Sequence, residues 1–213
     1  MITSPTQLNQ ALKAVDPQLV IWDFDGTLVD TEPYHAESYA SILAGRGITP
    51  EPNFFQALVG NNEPTIWSIL KEKYNISDSI QQLKSERIKS VTAELVLAKP
   101  NWFVLPALEW LKAKSIPCVI VSAGNPEVVD ACNQSWGIQT YFDEVSVLGN
   151  SGDPGSKKMM LQKLAAAHSS ILTVEDSKTY LSFGTQLGFR SIGVLHELNQ
   201  DNSLRADYLI SAG

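Results

Sequence analysis

A chain of 213 residues, 44% of them hydrophobic, can bury a sizeable core, as one domain or as one domain carrying a large insertion. Its formal net charge of −7 argues against a nucleic-acid or anionic-membrane surface, though a small positive pocket for phosphate is compatible with it. Cys118 and Cys132 lack metal-ligand or CxxC spacing and read as packed thiols of a reducing cytoplasm, and neither a signal peptide nor a membrane span is visible. In chain order, Ser4-Pro5 opens a helix whose Leu8, Ala11, Leu12 and Val15 share a face, and Asp16-Pro17 stops it. Leu19-Val20-Ile21-Trp22 is a short apolar run bounded by turn residues, the pattern of a buried strand. It leads into Asp23-Phe24-Asp25, and Gly26 supplies the turn. Alternation along a strand sends Asp23 and Asp25 one way, Trp22 and Phe24 the other. Two neighbouring carboxylates repel unless one is protonated or a cation lies between them. Mg²⁺ suits that place, since it takes oxygen ligands and keeps room for water and phosphate. The bland alternative is a solvated Asp-Gly turn.

Beyond Asp30 about 70 residues read as helices. Glu32 to Leu43 ends at Gly45 and Gly47, and Asn53 to Val59 is a shorter piece ending at Gly60. Ile66, Ile69, Leu70 and Tyr74 mark a third helix; Ile80, Leu83, Ile88, Val91 and Leu95 mark a fourth. Prolines at Asp30 to Pro33 and at Ala98 to Trp102 suit hinges. The expected organisation is a core of residues 1–32 and 100–213 with a helical cap of residues 33–99. From Asn101 helices and strands alternate, beginning with a helix from Leu105 to Lys114, with strands at Cys118 to Ser122, Glu144 to Leu148, Ile171 to Val174, Ser191 to Leu195 and Tyr208 to Ile210. A Gly/Ser/Asp/Pro loop precedes a helix from Lys157 to His168. The alternation implies an α/β fold with a doubly wound parallel sheet covered on both faces.

Ligands of such sheets bind at the carboxyl ends of strands, where strand order reverses, and the polar residues fall there. Asp23 and Asp25 end the first strand, Ser122 the second, and Glu175 with Asp176 a later one. Ser122 and the amides of Ala123 and Gly124 precede a helix, a place that receives anions; the bland alternative for Ser122 is an ordinary helix cap. Glu175-Asp176 taken alone is an ordinary acidic helix opening; beside a second acidic strand end it becomes a split metal site.

Asp23-Phe24-Asp25-Gly26-Thr27-Leu28-Val29-Asp30 resembles the first motif of the haloacid dehalogenase-like hydrolases. Ser122 resembles their second, Val174-Glu175-Asp176-Ser177 their fourth, and the order is that of the family. The third, a lysine, has adjacent candidates in Lys157 and Lys158; Lys157 is preferred because it starts the face continued by Met160, Leu161 and Leu164. The proline that commonly follows this lysine is missing here. The resemblance implies a Rossmann-like core with a cap between the first and second motifs. It implies a Mg²⁺-dependent phosphatase that hydrolyses a small phosphate monoester through an aspartyl-phosphate. Asp23 would be nucleophile and Asp25 acid and base. Lys157 would act in catalysis and, with Ser122, Ala123, Gly124 and Asn125, hold phosphate. Asp23, Asp25 (through its carbonyl), Glu175 and Asp176 would hold the metal.

The partner expected is a small phosphorylated metabolite acting on a monomer or weak homo-oligomer, with neither nucleic acid nor membrane. A phosphosugar mutase of the β-phosphoglucomutase type is the closest rival, since His35 matches a proton-shuttling position there. Glu63 stands where such mutases carry an arginine, which favours hydrolysis. A haloacid dehalogenase would lack Asp25, and a silent binding module would not need Asp23, Asp25, Ser122 and Asp176 intact.

Overall fold

The computed structural model describes residues 1–51, 54–58, 63–148, 154–196 and 206–212. Among the described residues six strands are formed, β1 (Leu19–Trp22), β2 (Cys118–Ser122), β3 (Glu144–Val147), β4 (Ile171–Glu175), β5 (Arg190–Leu195) and β6 (Tyr208–Ser211). They make one parallel sheet in the order β3-β2-β1-β4-β5-β6. Trp22 stands opposite Ile120 on one side and Val174 on the other. The chain runs outward from β1 to β3, then returns to β4 on the far side of β1, so strand order reverses beside β1. This is the doubly wound α/β sheet that the alternation implied.

The inner strands β1, β2 and β4 are buried along their whole length because both faces are covered, whereas the edge strand β3 exposes Glu144 and Val145. Leu19 and Ile21 join Val119, Val121, Leu161, Ile171 and Phe189 in one cluster. Leu164 of α7 (Pro154–Ala167) and Phe183 of α8 (Lys178–Gln186) pack against it. Val20, Trp22, Cys118 and Ile120 alternate to the opposite face and are buried as well. Each such side chain taken from water contributes roughly 1.5–3 kcal/mol. The first helix, α1 (Pro5–Val15), starts where Ser4 Oγ accepts the Gln7 amide and ends at Asp16 in the left-handed region. Two further helices complete this part, α5 (Val104–Ala113) and α6 (Pro126–Ser135). In one place the structure corrects the expectation: α7 begins at Pro154, so Lys157 lies a turn inside the helix, not at its start. Proline's fixed φ suits the first helical position, and that preference outweighed the apolar periodicity beginning at Lys157.

Two compact units are present, Thr31–Leu97 and the remainder of the chain; the insertion expected from sequence ran over residues 33–99. The first is helical, with α2 (Glu32–Ala44), α3 (Glu63–Tyr74), α4 (Ile80–Leu95) and a 3₁₀ turn at Phe55–Leu58. Its core gathers Tyr39, Ile42, Leu43, Trp67, Leu70, Ile76 and Leu83. Ser79 caps α4 in a reciprocal pair with Gln82. The ends of the expected piece Asn53 to Val59, Gly60 to Asn62 and the loop at 149–153 lie outside the described residues.

The expected hinge at Ala98 to Trp102 is tied into the core unit. The Trp136 indole donates to the Ala98 carbonyl at 2.8 Å, and the Trp102 indole donates to Ser211 O at 2.9 Å. Asn101 donates through its amide to Leu28 O and through Nδ2 to Thr27 O, each at 2.8 Å. Among the described residues no helix is long and apolar enough to cross a membrane.

Candidate active site

β1 delivers Asp23 to the carboxyl edge of the sheet, where its amide still donates to Val174 O of β4 at 3.0 Å. Gly26 then turns the chain with φ +70°, and the Thr27 and Leu28 amides both donate to Phe24 O. The Phe24 ring stacks on Trp136 at 5.8 Å, which fixes the residue between the two aspartates.

Lys157 reaches this edge from α7 and is buried. Its ammonium donates to Asp23 Oδ1 and Glu175 Oε2, both at 2.7 Å, and lies 4.2 Å over the Tyr180 ring. The Lys158 ammonium instead lies 5.4 Å over Phe183. Glu175 Oε1 accepts the Ser177 amide at 2.9 Å. Ligand oxygens of Asp23, Glu175 and Asp176 lie within 4.8 Å of one another.

Two of these three carboxylates therefore share one ammonium. Burial, together with the charges of Asp176 and Asp25, pushes Asp23 up to about 6 against the pull of Lys157. Burial and the Asp23 charge hold Glu175 well above the ordinary carboxylate range. Burial works against the Lys157 charge, but Asp23 and Glu175 more than offset it and raise its pKa. The uncompensated negative charge and the all-oxygen donor set fit a hard divalent cation such as Mg²⁺.

The Asp25 side chain is not part of that trio; it faces the second strand end. A Cβ on Gly124 would stand 2.7 Å from Asp25 Oδ2 and 3.1 Å from Ser122 Oγ, so a larger residue there would push the Asp25 carboxylate aside. Ser122 is fully buried and its Oγ accepts the Gly124 amide at 2.9 Å. Ala123 is exposed beside them. Asn125 caps α6, its Oδ1 accepting the Glu127 amide at 2.8 Å.

One residue of the site went unnoticed in the sequence. His196 follows β5, is buried, and its Nε2 lies 2.9 Å from Asp176 Oδ2. The rule that picked out Ser122 and Glu175, a polar residue at a strand's carboxyl end, applies equally to His196 after the Ser191 to Leu195 run. In the helical unit, His35 Nδ1 lies 2.8 Å from Arg87 Nη2, and Arg87 Nη1 donates to Glu63 Oε1 at 3.1 Å.

Residues 20–194 match the family model described as haloacid dehalogenase-like hydrolase. A Thermotoga maritima phosphorylated carbohydrates phosphatase is 29% identical, over 88% of this chain and 89% of its own length. A Psychrobacter arcticus phosphoglycolate phosphatase is 25% identical, over 90% and 89%. Among solved structures, a T. maritima protein described as a candidate β-phosphoglucomutase superposes with a TM-score of 0.76 at 25% identity, covering 91% of this chain and 94% of its own. CbbY of Rhodobacter sphaeroides, solved with phosphate, shares the fold with a TM-score of 0.74 at 17% identity, over 91% and 93%.

Proposed function

The chain belongs to the haloacid dehalogenase-like hydrolases, and from that membership we propose that it is a Mg²⁺-dependent phosphatase acting on a small phosphate monoester. The observation that carries this reading is the buried Lys157 ammonium bridging Asp23 and Glu175 beside Asp176, at the sheet's reversal point. The phosphatases among its relatives support the reaction class.

Asp23, Asp176 and Glu175 would hold the metal, with the Asp25 carbonyl as a further ligand. When bound, the cation neutralises charge on phosphate and nucleophile together. An Asp23 oxygen attacks phosphorus, and the bond from phosphorus to the leaving alkoxide breaks in line. Asp25 gives its proton to that alkoxide, then takes one from the water that attacks the aspartyl-phosphate and releases inorganic phosphate. Ser122, Lys157 and the Ala123, Gly124 and Asn125 segment hold the non-bridging oxygens. The helical unit is the cap and selects the substrate.

A mutase would need a cation for a second phosphate. Arg87 and Lys84 in the helical unit pair with Glu63, at 3.1 Å and 3.6 Å, which supports hydrolysis over phosphoryl return. The test is phosphate release from an aryl phosphate and from sugar phosphates with Mg²⁺. Release by the wild type and none by Asp23→Asn is expected. An isomerised sugar phosphate without free phosphate would make the protein a mutase.

A further inference from the structure

The Asp176–His196 pair sits at the meeting of three elements. Asp176 follows β4, His196 follows β5, and the Gly26 turn follows β1. A Cβ on Gly26 would stand 2.4 Å from Asp176 Oδ2 and 3.3 Å from His196 Nε2. Glycine at this turn therefore does more than accept φ +70°: it leaves the space that the pair fills. The imidazole is 8% exposed and meets the carboxylate at 2.9 Å, a hydrogen bond in which Nε2–H donates to Oδ2. A carboxylate whose ligand oxygen must stay within 4.8 Å of two others can turn about its own axis unless something holds it. Lys157 holds Asp23 and Glu175 in this way, and Ser177 holds Glu175 again. For Asp176, His196 makes such a contact.

We infer that His196 is the positioning residue for Asp176, fixing the orientation of that carboxylate for a divalent cation while leaving the ligation itself to the acids. The inference rests on the proposed metal site and adds to it a residue from a third strand end. Removing a group that orients a metal-ligating side chain typically changes metal affinity 10–100-fold.

The experiment measures Mg²⁺ binding by titration calorimetry and metal-induced stabilisation by thermal melting, on wild type, His196→Leu and His196→Gln. Glutamine carries an N–H donor near the Nε2 position; leucine fills the volume without one. The expected result is affinity about 10-fold or more weaker in His196→Leu and within about 3-fold of wild type in His196→Gln. Equal affinity in all three would overturn the inference while leaving the metal site standing. Wild type that binds no Mg²⁺ would remove the metal reading, and this inference with it. A readout on the wild type guards against misfolding of the leucine variant. The ¹⁵N resonance of His196 Nε2, assigned by its loss in His196→Gln, should be of protonated type and should move on Mg²⁺ saturation. An unprotonated Nε2, or one indifferent to the metal, would overturn the positioning role.

Discussion

As the proposed nucleophile, Asp23 must be an anion to attack phosphorus, yet its surroundings oppose ionisation. Its carboxyl is buried among Glu175, Asp176 and Asp25, with Lys157 as its buried counter-charge, and stands at about 6 instead of 3.8. An acid whose pKa is raised on folding holds its proton longer in the folded state. Its contribution therefore erodes the stability of the metal-free protein as pH climbs from about 4 to about 6, and the loss is complete above that. Asp23→Asn removes this penalty as well as the nucleophile. It should abolish turnover yet raise the metal-free stability at pH 8 by on the order of 1–2 kcal/mol, a gain that shrinks towards pH 4. Denaturant melts of both proteins in chelator at the two pH values check this, and a destabilised variant at pH 8 would show that Lys157 outweighs the crowding. Lys157→Ala works in the opposite sense, since it leaves the buried carboxylates without their ammonium. It should cost about 3 kcal/mol or more and at least 10²-fold in kcat. Lys158→Ala, whose ammonium lies over Phe183, should stay within about 2-fold; the reverse ranking would exchange their roles.

Elements earn their importance by what they hold at the carboxyl edge. The segment 98–102 holds the Asp25 turn from behind, through the two hydrogen bonds of Asn101 to Leu28 O and Thr27 O. Asn101→Ala removes the side-chain bond and should cost about 1 kcal/mol, with kcat down several-fold because Thr27 is only two residues from Asp25. Ser79→Ala, in the α4 cap of the helical unit, should also cost about 1 kcal/mol but leave turnover of an aryl phosphate within about 2-fold. Comparing urea melts with kcat for the two variants separates a site effect from simple loss of stability. The strands and helices themselves were legible, because a parallel sheet covered on both faces requires uninterrupted runs such as Leu19 to Trp22 and Cys118 to Ser122. The two acidic strand ends were legible for the same reason. The anchoring of Ala98 to Trp102 was not, since prolines mark a break in the helix and say nothing about long-range bonds to Thr27 or Ser211. His196 escaped because one histidine after a strand carries no spacing signal, and its partner Asp176 lies 20 residues away.

At the scale of the whole molecule the decisive quantity is charge. The chain carries 23 acidic and 16 basic residues, and the buried cluster adds its own excess of carboxylates to the field at the site. Removing the metal should therefore abolish activity, and Mg²⁺ added back should restore it; full turnover in excess chelator would take the cation out of the chemistry. The same field sets which phosphates approach. A small monoester brings about two negative charges and, once seated in the proposed site, would meet Lys157 and the proposed cation. A phosphorylated oligonucleotide brings one charge per nucleotide into a net field of like sign, and nothing on a −7 chain steers it inward. Its kcat/KM should fall at least 10²-fold below that of the best sugar phosphate. The dependence on salt should also differ in sign: screening relieves repulsion, so oligonucleotide turnover should rise with ionic strength between about 10 mM and 150 mM, where the Debye length shrinks from about 30 Å to about 8 Å. Turnover of the small monoester should hold steady or decline slightly over the same range, because its attraction to Lys157 and the metal acts at contact distance. Phosphate release measured across that salt series decides the matter, and an oligonucleotide preferred at low salt would overturn the small-substrate reading.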